Sequence, residues 1–481
     1  MPIPRTAPQP ASHRAGTPLY EEVADRLASL IEAGTLRPGD RAPSVRALSR
    51  DQQVSITTAV EAYRVLESRA LVEARPKSGF FVARRPTAPV PERTDTAARP
   101  RSPSTVELIL RVRQQANDPR LVPFGAAIAS PSFFPVQALH REHARALREE
   151  PDVCFSYDEL AGSLALRRQV ARRALHGGSV LAPDEIVTTS GAQQAMDLAL
   201  RAVTKPGDVV AVESPTYFGL HEALAAQHLR ALEIATDPVE GIDLDELERA
   251  FGAQRIAACA LAPTCGNPLG HSMPEERRRQ VVELCAERSV PLLEDDVYGD
   301  LLHDYVRPRT LQSFDREGAV LLCSSFSKTL TPGYRVGWLV PGRYRDEVLR
   351  LKNARGVSAA PSSQLAVARY LERGGYDRLL RKLRRTYREL LMRTSSAVAA
   401  NFPAGTRVTR PAGGHVLWVE VPGSFDALTF FERALERGIG TAPGPIFSAS
   451  GRFRNCLRLN AAVEWSERVD WALEELGRLA L

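Results

Sequence analysis

A chain of 481 residues is too long for one ordinary core, which predicts two or three folding units. Its 44% hydrophobic and 25% charged residues exclude a disordered or collagen-like chain, and no apolar run reaches the roughly 20 residues a membrane span needs. The net charge is +6, and residues 1–104 alone hold 16 Lys+Arg against 11 Asp+Glu, a basic module beside a neutral body, as binding to a phosphate backbone requires.

The N-terminus MPIPRTAPQPASHRAG lacks the apolar core of a secretory signal, so a cytoplasmic protein is expected. Within Leu19 to Ala33, the residues Val23, Leu27, Leu30 and Ile31 fall at helical spacing, and Gly34 stops that helix. Pro43 opens a short helix over Ser44 to Ser49, and after a turn Ser55 can cap another running from about Ile56 to Ala70. VEARPKSGFFV predicts two short strands around Pro76 to Gly79, a hairpin wing. RRPTAPVPERTDTAARPRSP, residues 84–103, has almost no large apolar residues and reads as a linker.

Beyond it, strand-like runs (Glu185 to Thr189, Val209 to Val212, Ile256 to Leu261, Val290 to Leu293, Val320 to Cys323) alternate with helical stretches. That alternation predicts an α/β domain with a mostly parallel sheet. After Trp338 the pattern changes to long Arg-rich helices, such as Tyr376 to Ala399, then to strand-like VLWVEV and CLRLNAA, a smaller α+β domain. The six cysteines form no C-x-x-C pair, so reduced thiols, no disulfide framework and no metal site are expected.

The chemistry concentrates in SSFSKTLTPGYRVGW, residues 324–338. A lysine among small hydroxyl residues, with an arginine seven positions on, is what an aldimine-forming cofactor with a phosphate tail requires. Lys328 can form a Schiff base with an aldehyde, while Ser325 and Arg335 can hold a phosphate, the arginine by its planar fork.

From Pro18 to Val82 the sequence resembles the GntR family of bacterial regulators, through PLYEEVADRLASLIEAGTLRPGDRAPSVRALSRD and VSITTAVEAYRVLESRALVEARPKSGFFV. The helix beginning at Ser55 would then lie in the major groove of double-stranded DNA. The resemblance nominates Ser44, Arg46, Ser55, Thr57 and Thr58 for phosphate or base contact, with Lys77 and Gly79 in the wing; Arg46 leads. Ser55 could equally serve only as a cap and Arg46 as a solvated charge. Ile56 stands where many relatives carry a polar or basic residue, and the turn Asp51-Gln52-Gln53 lacks the usual glycine.

The lysine run, and the chain from about Val122 to its end, resembles the fold-type I pyridoxal-phosphate-dependent aminotransferases. TTSGAQQAMDLAL matches their phosphate loop and places the amides of Ala192 and Gln193 at a helix N-terminus. ESPTYFG places Tyr217 on the pyridine ring, APTCGNPLG puts Asn267 at the cofactor's phenolic oxygen, and LLEDDVYGD supplies Asp295 for the ring nitrogen and Tyr298 near the ring oxygen. Asp296 competes with Asp295, which is chosen on spacing. Cys265 and Gly266 replace more usual residues in the Asn267 turn. SYDELAGSLALRRQVA nominates Tyr157 to reach the partner subunit's phosphate, implying a homodimer, and CLRLNAA nominates Arg458 for the substrate carboxylate.

Together the two parts resemble the MocR subgroup of GntR regulators. The expected layout is a winged helix-turn-helix domain at 14–83, a linker at 84–104 and a fold-type I body at 105–481. Within the body the large part covers about 150–340, and the small part 105–149 plus 341–481. The resemblance implies a transcription regulator that senses pyridoxal phosphate, or an amino acid or amine, through aldimine exchange at Lys328. An active aminotransferase carrying a DNA-binding domain is the alternative, and a sensor of pyridoxal phosphate alone a third.

Overall fold

The computed structural model describes residues 18–75, 78–83, 88–94, 99–101, 106–116, 118–303 and 306–481. Contacts divide the chain into two units, up to Pro86 and from Thr87. In the first, α1 (Leu19–Glu32), α2 (Val45–Asp51) and α3 (Ile56–Ser68) precede an antiparallel hairpin of β1 (Val72–Arg75) and β2 (Gly79–Val82). The apolar periodicity does what it predicts: Val23 and Leu27 of α1, Leu48 of α2 and Ala59, Tyr63 and Leu66 of α3 close one core. Ser44 Oγ accepts from Ala47 N at 3.1 Å and Ser55 Oγ from Thr58 N at 3.0 Å, so both serines cap their helices. Tyr63 stacks on Phe80, ring centroids 4.1 Å apart, tying α3 to the hairpin.

The described parts of the proline-rich segment do not hang free. Thr94 Oγ1 donates to Ser214 O at 2.6 Å, Arg101 bridges to Ala231, and Val408 N donates to Pro89 O at 2.7 Å. Arg93 pairs with Asp243, and Arg407 reaches Glu92 at 2.8 Å. Among its described residues, a segment poor in apolar residues and rich in proline forms no helix and offers backbone groups to the body instead.

The second unit is built on an eight-stranded sheet in the order Val187–Thr189, Gly337–Val340, Val320–Ser325, Leu292–Asp295, Ala258–Leu261, Val209–Ser214, Arg230–Asp237, Gly241–Ile242. The five strands from Val320–Ser325 to Arg230–Asp237 are mutually parallel and those at the edges pair antiparallel. Buried on both faces, the parallel strands read as continuous apolar runs. A smaller antiparallel sheet orders Arg407–Val408, Val416–Glu420, Cys456–Asn460 and Ala442–Pro443.

One expected boundary shifts. The helices Val136–Glu149 and Pro361–Glu372 pack on each other and join, through Leu139 and Val367, the core around Leu166, Val170, Leu322 and Val340. The helix Arg345–Gly356 packs on Ala192–Val203. All three therefore belong with the large sheet, not with the small part assigned from sequence. Val136–Glu149 and Arg345–Gly356 carry three arginines each and bury few residues, and Pro361–Glu372, mostly buried, meets its partners only through contacts distant in sequence. The 27-residue helix Gly375–Asn401 spans both parts: Leu379, Leu380 and Leu383 enter the first core, and Leu390, Leu391 and Val398 the second, with Val419, Leu457 and Leu473.

Candidate cofactor site

The carboxyl ends of the parallel strands converge on one cleft, where open α/β sheets bind ligands. The strand Leu292–Asp295 ends on Asp295, which lines the cleft with Met196, Thr216, Tyr217, Ala262 and Cys323. Asp295 Oδ1 is sealed from solvent with no hydrogen-bond partner among the described residues. Burial first, and the neighbouring charge of Asp296 second, push its carboxyl up to about 7. Asp296 differs: it is 3% exposed and pairs with Arg307, which reaches Asp300 at 2.5 Å. One of the adjacent carboxylates is consumed by a structural ion pair and the other is left facing the cleft.

Lys328 follows the strand Val320–Ser325. Its Nζ donates to Ala127 O at 2.6 Å and lies 5.6 Å from the Tyr298 ring centroid. Burial, then the charge of Arg458, lowers the ammonium to about 8, so a far larger share of the nucleophilic amine exists near neutrality than for a free lysine. Arg458 is 0% exposed on Cys456–Asn460; it donates to Gly125 O and, at 3.4 Å, to Asn267 Oδ1, while its Nε has no partner among the described residues. Tyr298 is buried, its hydroxyl likewise unpartnered and its ionisation pushed up by burial.

At the other end, Gly191 adopts φ 96° before the helix Ala192–Val203, whose first-turn amides include those of Ala192 and Gln193. Arg335 donates to Ser190 O at 2.8 Å, its Nη2 lying 2.5 Å from where a Cβ on Gly191 would stand, and the positive φ at 191 is what requires glycine. Gln193 Nε2 donates to Gly219 O at 2.7 Å, beside the Tyr217 ring, and Ser325 Oγ accepts from Ser327 N at 3.4 Å.

The residues present suit a pyridoxal phosphate. A helix N-terminus with an arginine and a serine suits an anion, and the buried Asp295 Oδ1, Tyr298 hydroxyl and Arg458 Nε, without partners among the described residues, suit a protonated ring, a ring oxygen and a carboxylate. Tyr157 is not gathered with them: it stands 85% exposed, two residues from Phe155 at 81%. In the first unit, Arg46, Thr57 and Gly79 are exposed, Ser44 and Ser55 serve as caps, and Thr58 shares a hydroxyl contact with Ser55 at 2.8 Å. Lys77 lies outside the described residues.

Sequence reasoning missed the supports of the Asn267 turn. Cys265 sits at φ 50°, and a Cβ on Gly266 would come within 2.3 Å of His271 Cε1. The glycine thus admits the His271 ring, which meets Glu213 Oε1 at 2.9 Å. Arg278, 0% exposed, donates to Pro263 O (2.7 Å), Met273 O (2.8 Å), Thr264 Oγ1 (2.9 Å) and Arg309 O (3.1 Å). Nothing in the run EERRRQ distinguishes this arginine from half-buried Arg277 and exposed Arg279 beside it. Arg278→Met strands these acceptors, and stability is expected to fall by on the order of 3 kcal/mol, read as a lower urea midpoint; an unchanged midpoint contradicts the role. His415 is a further omission: fully buried, it holds Asn460 Oδ1 at 2.9 Å and sits edge-on to Tyr298.

The aminotransferase class I and II model matches residues 128–476, and that of the gntR family of bacterial regulatory proteins matches residues 19–82. The chain belongs to the class I and II aminotransferase family, in the MocR arrangement. This MocR-type chain is 42% identical to the HTH-type transcriptional regulator YjiR of Escherichia coli (strain K12), over 95% of its own length and 98% of that protein's. It is 32% identical to the 2-aminoadipate transaminase of Thermus thermophilus, over 78% of its length and 93% of that enzyme's. The crystal structure of LysN, the α-aminoadipate aminotransferase of Thermus thermophilus complexed with N-(5'-phosphopyridoxyl)-L-leucine, superposes at TM-score 0.71 with 30% identity, covering 78% of this chain and 98% of that one. Among the described residues, no helix of this MocR-type chain is long and apolar enough to cross a membrane.

Proposed function

We propose that the protein is a transcription regulator of the cytoplasm that binds an operator through its gntR-type domain and senses pyridoxal phosphate, with an amino acid or amine, in its aminotransferase-like body. The carrying observation is the coexistence, in one chain, of a capped recognition helix and a cleft whose buried polar atoms lack partners. The regulator YjiR is matched over 95% of the chain and the transaminase over 78%, which favours sensing over metabolic transamination.

Pyridoxal phosphate, when bound, supplies an aldehyde and an electron-withdrawing ring. Ser325, Arg335 and the amides of Ala192 and Gln193 hold its phosphate; Tyr217 covers the ring; Asn267 and Tyr298 address the ring oxygen. Asp295 holds a proton at the ring nitrogen. Lys328 would offer its Nζ as the amine facing the aldehyde and, as a free amine, could carry a proton at that atom. Arg458 orients the ligand's carboxylate by a bidentate contact. Tyr157 and Phe155, among the most exposed large side chains, offer a contact to a second copy, with Tyr157 extending toward that copy's phosphate.

A ligand shifts the DNA-bound state only through unequal affinity for two conformations. Full-length protein is therefore titrated onto a duplex selected from a random-sequence library, with and without pyridoxal phosphate and a panel of amino acids and amines. Some combination is expected to change operator affinity at least about fivefold. Invariant affinity across the panel overturns sensing, failure to select any sequence overturns DNA reading, and multiple-turnover keto acid release moves the assignment to an enzyme.

A further inference from the structure

We infer that Ile56 reads the C5-methyl group of a pyrimidine, normally thymine, in the operator's major groove. The inference deepens the DNA-binding assignment by naming what one position of the recognition helix recognises.

Ile56 is the first residue of α3 and is 56% exposed, more than any other large apolar side chain described in the first unit. The buried positions of α3 are Ala59, Ala62, Tyr63 and Leu66. Ile56 lies one turn ahead of Ala59 on the same stripe, past the end of the core, so packing does not explain it. Helix formation does not explain it either. The start of α3 is already secured by the Ser55 cap, and a β-branched residue is a poor choice for an exposed helical position.

The polar groups around it are spoken for in part. Ser55 Oγ holds Thr58 N and the Thr58 hydroxyl, at 3.0 and 2.8 Å. What the N-terminus of α3 presents outward is then the Ile56 side chain beside exposed Thr57. The N-terminal residues of a recognition helix meet base edges. Of the groups on those edges in the major groove, only the C5-methyl is apolar. An apolar side chain there gains by burying that methyl and forfeits hydrogen bonds at guanine or adenine N7. Thymine and 5-methylcytosine carry the same group, so the chemistry is shared and experiment separates the sources.

The test uses full-length protein and the duplex it selects from a random-sequence library. Each thymine is replaced singly by deoxyuridine, which removes only the methyl. One position per half-site is expected to weaken wild-type binding about fourfold, the worth of one buried methyl, and the same replacement should change binding by Ile56→Ser less than about 1.5-fold. Cytosine at that position should bind like deoxyuridine, and 5-methylcytosine should recover affinity if the methyl alone is read. Recovery failing with 5-methylcytosine while deoxyuridine still weakens binding confines the contact to thymine. Absence of any deoxyuridine-sensitive position, or equal sensitivity in Ile56→Ser, overturns the inference. Failure to select any sequence is a different outcome, which removes DNA reading itself. Ile56→Ala, which keeps helix propensity, guards against a folding artefact: it should behave like Ile56→Ser with an unchanged melting temperature.

Discussion

Lys328→Ala is expected to abolish covalent retention of pyridoxal phosphate while leaving sequence-selective DNA binding within about twofold of wild type. After borohydride reduction and mass spectrometry, wild-type protein should carry one added cofactor mass per chain and the variant none. The expectation rests on the surroundings of Lys328, whose charged neighbours include Asp295 and Arg458 and whose Nζ lies 5.6 Å from the Tyr298 ring centroid; Lys352, also buried, donates to Leu160 O at 2.6 Å with Asp158 and Arg167 as its charged neighbours. Because burial lowers the Lys328 ammonium to about 8, the reactive amine grows as pH rises through that value and is lost below it. Capture rate should therefore climb about tenfold from pH 7 to pH 9 and level off above, whereas an unshifted lysine would climb about a hundredfold with no plateau. Retention of the cofactor mass in Lys328→Ala would refute the assignment. An effector response that survives the substitution would locate sensing elsewhere.

Asp295→Asn should slow amino-acid-driven spectral change of the bound cofactor by on the order of 10²–10³, with cofactor affinity changed far less. The amide keeps the shape and burial of Asp295 but cannot sustain a proton on the ring nitrogen. Asp296→Asn supplies the contrast. It removes one of the carboxylates that neutralise buried Arg307, so that variant should melt earlier and retain its rate. Equal rate losses in both variants would mean that the adjacent carboxylates are not divided between chemistry and structure.

The sequence made most of the cleft legible because its chemistry sits in short contiguous runs. Lys328 and Arg335 share one turn, Asp295 and Tyr298 share D-x-x-Y spacing, and the strands that deliver them are unbroken apolar stretches. Spacing alone chose between Asp295 and Asp296; among the described residues Asp296 is ion-paired with Arg307 and Asp295 is not. What escaped were residues whose role depends on distant partners: Arg278 beneath the Asn267 turn, His415 against Asn460, and the backbone carbonyls of Gly125 and Ala127 that receive Arg458 and Lys328. The helices Val136–Glu149 and Pro361–Glu372 escaped for another reason. The first carries three arginines and buries only Leu139, Glu142 and Ala146, and the second, mostly buried, shows its packing only against partners distant in the chain, so local composition gave no hint of the sheet they cover. In the proline-rich segment, composition said nothing about backbone groups seeking partners on the body, as Thr94, Arg101 and Pro89 do.

The absent side chain at Gly266 and the imidazole at His271 occupy one space between them. Neither position can drift alone. A lineage that places a side-chain-bearing residue at 266 must lose the bulk of His271 and also shift the Ala262 carbonyl, 2.7 Å from that Cβ, and losing His271 strands Glu213 Oε1, whose carboxylate then needs a new donor. Substitutions at 213, 266 and 271 should accordingly be inherited as a set, and an ancestral reconstruction that swaps one without the others should yield a chain that misfolds around Asn267 even though every exchanged residue is tolerated in its own background.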